Sequence, residues 1–445
     1  MGTSYVAFIG FVMMFIIIYL LLKQKVSTMF AFSVIPIVSA FLVGMTPTNL
    51  GNALEKGLGM TTPVSLIMLF SLPYFMMMAD TGLFNELVRK IVRHVKITPP
   101  VLTCLTIVVA MIVGMDVSIT SIYIIAIPLL LPFYRKLHMS PMLLMFLTTL
   151  GVINTFDVPW SARMLRAASL VPNVKGGSIA LFSKMLPTQI VFTIVLFALA
   201  IVLGIRIQHK NKNNGEINDD ELEDTSQSTD SIQDDPELAR PKMFWINIIF
   251  TIFLVVCLVM FPTIPSYYIF AFGLVVAFAY NYPDLKMQSK LLKKYSRSLM
   301  PVMPTILLSG VVVGVMEYSG MMKAMVNILL KIIPSQLGPW LYIIIALVGV
   351  PLMFLFTNDT WYYVMLPIVI SIMKAYNIPG EIVVVTLFMN MGAMLTPIAQ
   401  PQIYIGANMT GDVITIPQFI KKSFLPIWGL SIVWTLIGLM MGAFR

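Results

Sequence analysis

Residues 78–82, Met78-Ala79-Asp80-Thr81-Gly82, return later as Met316-Glu317-Tyr318-Ser319-Gly320. Ser118-Ile119-Thr120-Ser121-Ile122-Tyr123, followed by Ile127-Pro128, returns as Thr357-Asn358-Asp359-Thr360-Trp361-Tyr362, followed by Leu366-Pro367. Gly151, Asn154-Thr155 and Pro159 return as Gly392, Leu395-Thr396 and Pro401. The offset stays within 238 to 242 residues throughout. A chain that repeats itself at this spacing must fold as two like halves, and interruptions of apolar segments at matching places put a site between them.

The solvent follows from composition. Of 445 residues 58% are hydrophobic and 11% charged, against roughly 25% charged in a soluble domain. The length fits about ten spanning segments, so the expected fold class is an all-α polytopic membrane protein in the plasma or inner membrane. The net charge of +9 does not signal nucleic acid, because the bases sit in short clusters between apolar runs, as membrane topology requires. The first run, Val6 to Leu22, lacks a basic leader and a cleavage site and reads as a retained helix. Cys104 and Cys257 stand in separate apolar runs and the three histidines stand singly, so neither a disulfide nor a metal site is expected.

Residues 206–242 differ from the rest, since ten of the 20 acidic residues lie between Glu216 and Glu237. Such a stretch cannot bury apolar surface and reads as a disordered cytoplasmic linker. It separates an N-terminal transmembrane repeat, 1–205, from a C-terminal one, 243–445. With the clusters at 89–96, 135–136, the linker flanks, 286–297 and 421–422 inside, 20 of 29 Lys and Arg are internal, 7 external and 2 at membrane depth. This path makes Pro100 to Tyr134 a re-entrant hairpin and sends the second half through in the inverted sense, with its own hairpin from Trp340 to Met373. The basic stretch Asn85 to Lys96 reads as an interfacial helix.

The polar residues at depth carry the chemistry. The first hairpin tip holds Asp116 with Ser118, Thr120 and Ser121, and the second holds Asp359 with Thr357, Asn358 and Thr360. A carboxylate at the bilayer centre costs ~2.5–3.5 kcal/mol. Carboxylate, hydroxyl and carbonyl oxygens suit a proton or sodium, which makes Asp116 and Asp359 coupling-ion candidates; the alternative is that they cap the hairpin helices. A break at Asn154-Thr155-Phe156-Asp157-Val158-Pro159 adds Asp157 to the coupling-ion candidates and Asn154 and Thr155 to the substrate candidates. The second break contributes Thr396, Gln400 and Gln402. Arg163 and Arg166 are the cations at depth, and their forked guanidinium groups suit a carboxylate. The competing reading pairs one with Asp157 and lets the other reach the surface. No nucleophile with its base is visible, so an enzyme is not expected, and no cofactor beyond a coupling ion.

At these tips and breaks the sequence resembles the citrate–metal–proton symporter family, within the wider ion transporter superfamily. The resemblance rests on Asp80-Thr81-Gly82-Leu83-Phe84, on Pro159-Trp160 with Arg166-Ala167-Ala168, and on Asn358-Asp359-Thr360-Trp361-Tyr362-Tyr363 with Leu366-Pro367, and it covers nearly the whole chain outside the linker. It implies a secondary transporter of citrate or a related di- or tricarboxylate, whose family members carry citrate complexed to a divalent cation together with protons; the acids at depth leave H+ or Na+ open as the coupling ion. Superfamily relatives move a hairpin-bearing domain against a scaffold like an elevator. The partners expected are a small carboxylate, a coupling cation, the bilayer and a second copy of the chain. The rival is a cation–proton antiporter of the same superfamily, which intramembrane acids alone would serve and which free arginines would hinder.

Overall fold

The computed structural model describes residues 2–23, 25–93, 97–115, 119–155, 157–213, 235–261, 264–300, 302–334, 336–354, 356, 360–388, 395, 402–410 and 414–443, and they form helices. In the first half these are α1 (Thr3–Leu22), α2 (Thr28–Leu42), α3 (Pro47–Asp80), α4 (Leu83–Arg93), α5 (Pro99–Gly114), α6 (Ile119–Lys136), α7 (Pro141–Thr155), α8 (Ala162–Ala168) and α9 (Gly177–Asn213). In the second they are α10 (Phe244–Met260), α11 (Ser266–Asn281), α12 (Leu285–Leu299), α13 (Met303–Tyr318), α14 (Met321–Ile332), α15 (Leu341–Leu347) and α16 (Gly349–Leu352). A π-helical turn at Trp361–Met365 leads into α17 (Leu366–Lys374), followed by α18 (Gly380–Phe388), α19 (Ile403–Met409) and α20 (Ile416–Met440). Local chemistry sets the starts. The side chains of Ser27 and Thr46 accept from the N–H groups of Phe30 and Asn49 at 3.2 and 3.3 Å, and Pro47 and Pro99 open α3 and α5, where a missing N–H costs nothing.

Element starts recur at a near-constant spacing. Thr28 is answered by Ser266, Pro47 by Leu285, Leu83 by Met321, Ala162 by Ile403 and Gly177 by Ile416, all 238 to 241 residues later. The sharp turns recur too: Gly82 and Gly320 take φ of 80° and 78°, left-handed values that glycine adopts at little cost.

Helices α3 and α13 cross antiparallel at contact distance of their backbones. Gly57 lies on Gly310 and Gly314, Ala53 lies on Gly314, and the Thr61 hydroxyl donates to the Leu307 carbonyl at 2.9 Å. Small residues at the crossing permit that approach. α3 has 34 residues, ~50 Å of rise, and joins two ends of different charge. At one end Asp80 accepts from Lys294 and Tyr295 at 2.8 Å, Glu237 pairs with Lys290, and Arg240 donates through its N–H to the Thr81 carbonyl and through Nε to the Asn281 carbonyl. Lys90 stands 3.9 Å over the Phe244 ring there. At the other end Lys56 covers Tyr318 and Lys184 pairs with Glu381. The basic clusters at 89–93, 240–242 and 286–297 thus share one end of the molecule. Between the ends the surface is apolar: Phe15, Ile249 and Val275 are each about two-thirds exposed, an arrangement that lipid and not water accommodates. The chain is a membrane protein.

Among the described residues five helices are long and apolar enough to span a bilayer, and six shorter apolar helices of 10–17 residues accompany them. One expectation needs correction. The boundary at 205 falls inside α9, which continues to Asn213. The continuation is anchored by Asn211, buried, whose amide donates to the Leu137 carbonyl at 2.8 Å. The other flank is ordered as well, with the Tyr282 hydroxyl donating to the Leu238 carbonyl.

Candidate functional site

The site grows from the break between α7 and α8. α7 stops at Thr155, ahead of Pro159, and α8 restarts after Ser161, whose hydroxyl oxygen accepts from the Met164 N–H at 3.1 Å. Helices α5 and α6 form an antiparallel hairpin, tied low down by the Thr106 and Tyr134 hydroxyls at 2.8 Å. The end of α5 rests on the break: Gly114 abuts the Thr155 hydroxyl so closely that no side chain would fit, and the Trp160 indole N–H donates to the Met115 carbonyl at 3.4 Å. Trp160 also stacks on Phe75 of α3, with ring centroids 4.8 Å apart. The break therefore touches both the hairpin and the long helix.

Arg163 is the hub. Its Nη1 lies 3.0 Å from Asp157 Oδ1, its Nε donates to the Tyr362 hydroxyl at 2.7 Å, its Nη2 donates to the Phe388 carbonyl at 2.6 Å, and its guanidinium lies over the Phe388 ring. Phe388 is the last described residue of α18, and its carbonyl accepts from the guanidinium. Arg163 is 5% exposed and Asp157 0%. One buried side chain thus joins the first break, the π-helical turn and the end of α18, two of which belong to the other half of the chain. Neither oxygen of Asp157 accepts a hydrogen bond, so the contact of Oδ1 with Arg163 is ionic. Arg166 is one turn further along α8, half-buried, with its charge within electrostatic reach of Tyr362.

Asn154 is buried at the end of α7. Its amide donates to Thr193 Oγ1 at 2.7 Å, and its carbonyl accepts from the Gln189 amide. With both NH2 groups so committed, Asn154 Oδ1 and Gln189 Oε1 are left as buried acceptors without hydrogen bonds, a condition folded proteins rarely tolerate without a water, ion or ligand group. Thr155 Oγ1 donates back to the Gly151 carbonyl at 2.8 Å, and Thr360 is fully buried. Gln402, just before α19, also keeps a buried oxygen without a partner.

The second half answers the first by exchange. α19 packs on α6, where the Tyr123 ring lies against Gly406, while the π-helical turn at Trp361–Met365 packs on α8 through Tyr362 and Arg163. The ionic feature is one-sided: at the same spacing the second half has Ile398, Tyr404 and Ala407 where the first has Asp157, Arg163 and Arg166.

Of the candidates read from sequence, Asn154, Thr155, Asp157, Arg163 and Arg166 come together at the first break. Asp116, Ser118, Thr357, Asn358, Asp359, Thr396 and Gln400 lie outside the described residues, as do the side chains of Thr120 and Ser121. Sequence reasoning missed Gln189 and Thr193 of α9 and the Phe388 carbonyl. Gln189 carried a signal, a polar amide two residues after Pro187 inside an apolar run; the carbonyl carried none. Among the described residues no cluster of His, Cys, Asp and Glu could hold a metal ion.

Comparison with known proteins gives the family. The sequence model of the Na+/H+ antiporter family matches residues 1–205. The citrate transporter of Bacillus subtilis is 30% identical over 440 residues, covering 98% of this chain and 99% of its own. The Mg(2+)/citrate complex secondary transporter of the same organism is 29% identical over 442 residues, covering 98% of both. The fold is also that of the Alcanivorax borkumensis YdaH transporter, with a TM-score of 0.61 over 89% of this chain and 88% of that one at 13% identity. Both relatives are named transporters and match 98% of this chain, and the chain is a transporter and not an enzyme, belonging to the citrate–metal–proton symporter family of secondary transporters.

Proposed function

We propose that this chain carries citrate or a related di- or tricarboxylate, free or as a divalent-metal complex, across the plasma or inner membrane with H+ or Na+ as coupling ion. The observation that carries the reading is the buried Arg163 with the half-buried Arg166 one turn on along α8, in a chain that matches two named citrate transporters over 98% of its length. A guanidinium in a desolvated site binds carboxylate bidentately. The substrate site takes Arg163, Arg166, Asn154, Thr155, Thr360 and Gln402, together with Ser118, Thr120, Ser121, Thr357, Asn358, Thr396 and Gln400 of the tips and the second break. The unpartnered oxygens of Asn154, Gln189 and Gln402 suit the citrate hydroxyl or the water shell of a complexed cation. Asp116, Asp157 and Asp359 are the coupling-ion candidates. Recurrent element starts and the antiparallel crossing of α3 on α13 support two inverted repeats, with the division at 1–205, 206–242 and 243–445 adjusted at the linker flanks, and an elevator in which the hairpins slide against the long helices. The assembly proposed is a homodimer.

Uptake of labelled citrate into proteoliposomes, with and without Mg2+, tests the substrate. In Arg166→Gln the apparent affinity should fall by about 30-fold to several thousand-fold, from a loss of roughly 2–5 kcal/mol. Unchanged affinity in both Arg166→Gln and Arg163→Gln would falsify the anion reading. A second reading, cation–proton antiport, is favoured by the antiporter family match over residues 1–205 and by the Asp157 carboxylate that neutralises Arg163. Sodium-driven proton movement without any carboxylate substrate would select it.

A further inference from the structure

Helix α12 carries three stripes. Leu291, Tyr295 and Leu299 are buried. Lys286, Lys290, Lys293 and Arg297 follow at steps of four, three and four residues, which sets them on one helix face, and all four are exposed. Between these stripes stand Leu285 and Leu292, 77% and 45% exposed. An apolar stripe beside a cationic one suits a helix at a bilayer surface, with its leucines among acyl chains and its cations at headgroup level.

The basic face borders an open cavity of about 680 Å³. Five cations, these four and Lys294, meet three acids there, so the face keeps net positive charge. Asp80 engages Lys294, Glu237 engages Lys290, and Asp235 accepts from the Glu237 N–H. Lys286, Lys293 and Arg297 stand outside these pairs. The fold does not demand the stripe. At the spacing of 238 residues that separates Pro47 from Leu285, the start of α3 has Thr48, Asn52, Glu55 and Gly59 where α12 has the four cations. Charge placed for topology alone needs no alignment on one face.

We propose that this face of α12 is a binding site for anionic phospholipid, with the phosphate on Lys286, Lys293 and Arg297 and the acyl chains along Leu285 and Leu292. Anionic lipid surfaces attract such clusters of Lys and Arg. The site is placed to act on the body of the protein. Lys294 and Tyr295 hold α12 on Asp80, at the end of α3, and α12 is followed by α13, the helix that crosses α3. A lipid bound on α12 therefore braces that crossing, whatever solute the protein carries.

The test uses the full-length protein in a neutral detergent, titrated with dioctanoyl phosphatidylglycerol or dioctanoyl phosphatidylcholine while the melting midpoint is followed by tryptophan fluorescence. Phosphatidylglycerol should raise the midpoint saturably and phosphatidylcholine should not, because a ligand stabilises only the state that binds it. Apparent affinity should fall about fivefold per cation removed and ~100-fold in the triple variant Lys286→Gln/Lys293→Gln/Arg297→Gln. Its midpoint without lipid should match wild type, since the three side chains lie outside the ion pairs. Lys421→Gln/Lys422→Gln, which removes two exposed cations of α20, should respond as wild type does. In 1 M NaCl, where the Debye length is ~3 Å, the affinity of wild type should drop. Equal responses to the two lipids, or wild-type affinity in the triple variant, overturn the proposal. An equal response to glycerol 3-phosphate overturns it in favour of a soluble phosphate ligand. A response that appears only after the acids of residues 216–234 are neutralised assigns the face to that segment and overturns it too. If the triple variant fails to fold, the single variants decide: each must lose about fivefold, and unchanged affinity in all three refutes the site.

Discussion

Replacing Gly57 with alanine isolates the contact on which the two halves are built. An added methyl at Gly57 would overlap the Gly310 carbonyl and lie 3.0 Å from the Gly314 Cα, where carbon contacts settle at ~3.5–4 Å. The obstruction is backbone, so no rotamer change relieves it and α3 must move off α13. Overpacking of this kind costs about 1–3 kcal/mol. Separation also stretches the Thr61 hydroxyl from the Leu307 carbonyl, now 2.9 Å, for a further ~0.5–1.5 kcal/mol. Gly59, two residues along the same helix, has nothing within 4 Å of an added Cβ. Gly59→Ala therefore receives the helix-propensity gain of ~0.5–1 kcal/mol without the clash, and Gly57→Ala receives the same gain with it. The difference between the variants should be roughly 2–4 kcal/mol. Thermal unfolding of the purified protein in one detergent, followed by tryptophan fluorescence, measures it. Equal midpoints, or a higher midpoint for Gly57→Ala, would refute the close crossing.

Arg163→Gln strands the Asp157 carboxylate in the interior and should destabilise by about 3–5 kcal/mol; adding Asp157→Asn should recover part of the loss, and a double variant no better than the single one would show the pair uncoupled. Trp428→Phe removes the 2.7 Å bond from the indole N–H to the Leu347 carbonyl and should lower stability by ~1 kcal/mol in the same melting assay. Lys294→Gln breaks a half-exposed pair with Asp80 and should cost no more than ~1 kcal/mol; a larger loss would mean that the end of α3 is more deeply buried than described. Single cysteines in a background lacking Cys104 and Cys257 report orientation: one within residues 216–234 should resist an impermeant thiol reagent in intact cells, and one at Arg445 should react.

The recurrence of element starts was legible because both stretches of sequence keep their punctuation. Glycine at Gly82 and Gly320, and prolines around each break, survive even where the side chains between them differ, and backbone geometry follows punctuation. The limits of the first break came out close for the same reason: α7 ends at Thr155 and α8 starts after Ser161, as the Asn154 to Ser161 interruption implies. The partners of Arg163 were not legible. A backbone carbonyl, that of Phe388, serves as one acceptor, and nothing in residue types announces that. Gln189 was hidden by its apolar surroundings. At the linker flanks composition misled, since a stretch rich in charge was read as unable to order, while a single buried amide, Asn211, suffices to hold its first turns.

The hub at Arg163 has a consequence for how the protein is made. Tyr362 and Phe388 lie 199 and 225 residues beyond Arg163. At ~5–20 residues per second of synthesis, α8 waits about 10–45 s on the ribosome-bound chain before either exists. Asp157, six residues upstream, is already present when Arg163 emerges. The same carboxylate that stands against the guanidinium in the finished carrier therefore shields it while the first half sits in the bilayer alone. A nascent chain lacking Asp157 would have to carry a bare cation through that interval, exposed to retrotranslocation and to the quality-control proteases that survey half-made membrane proteins.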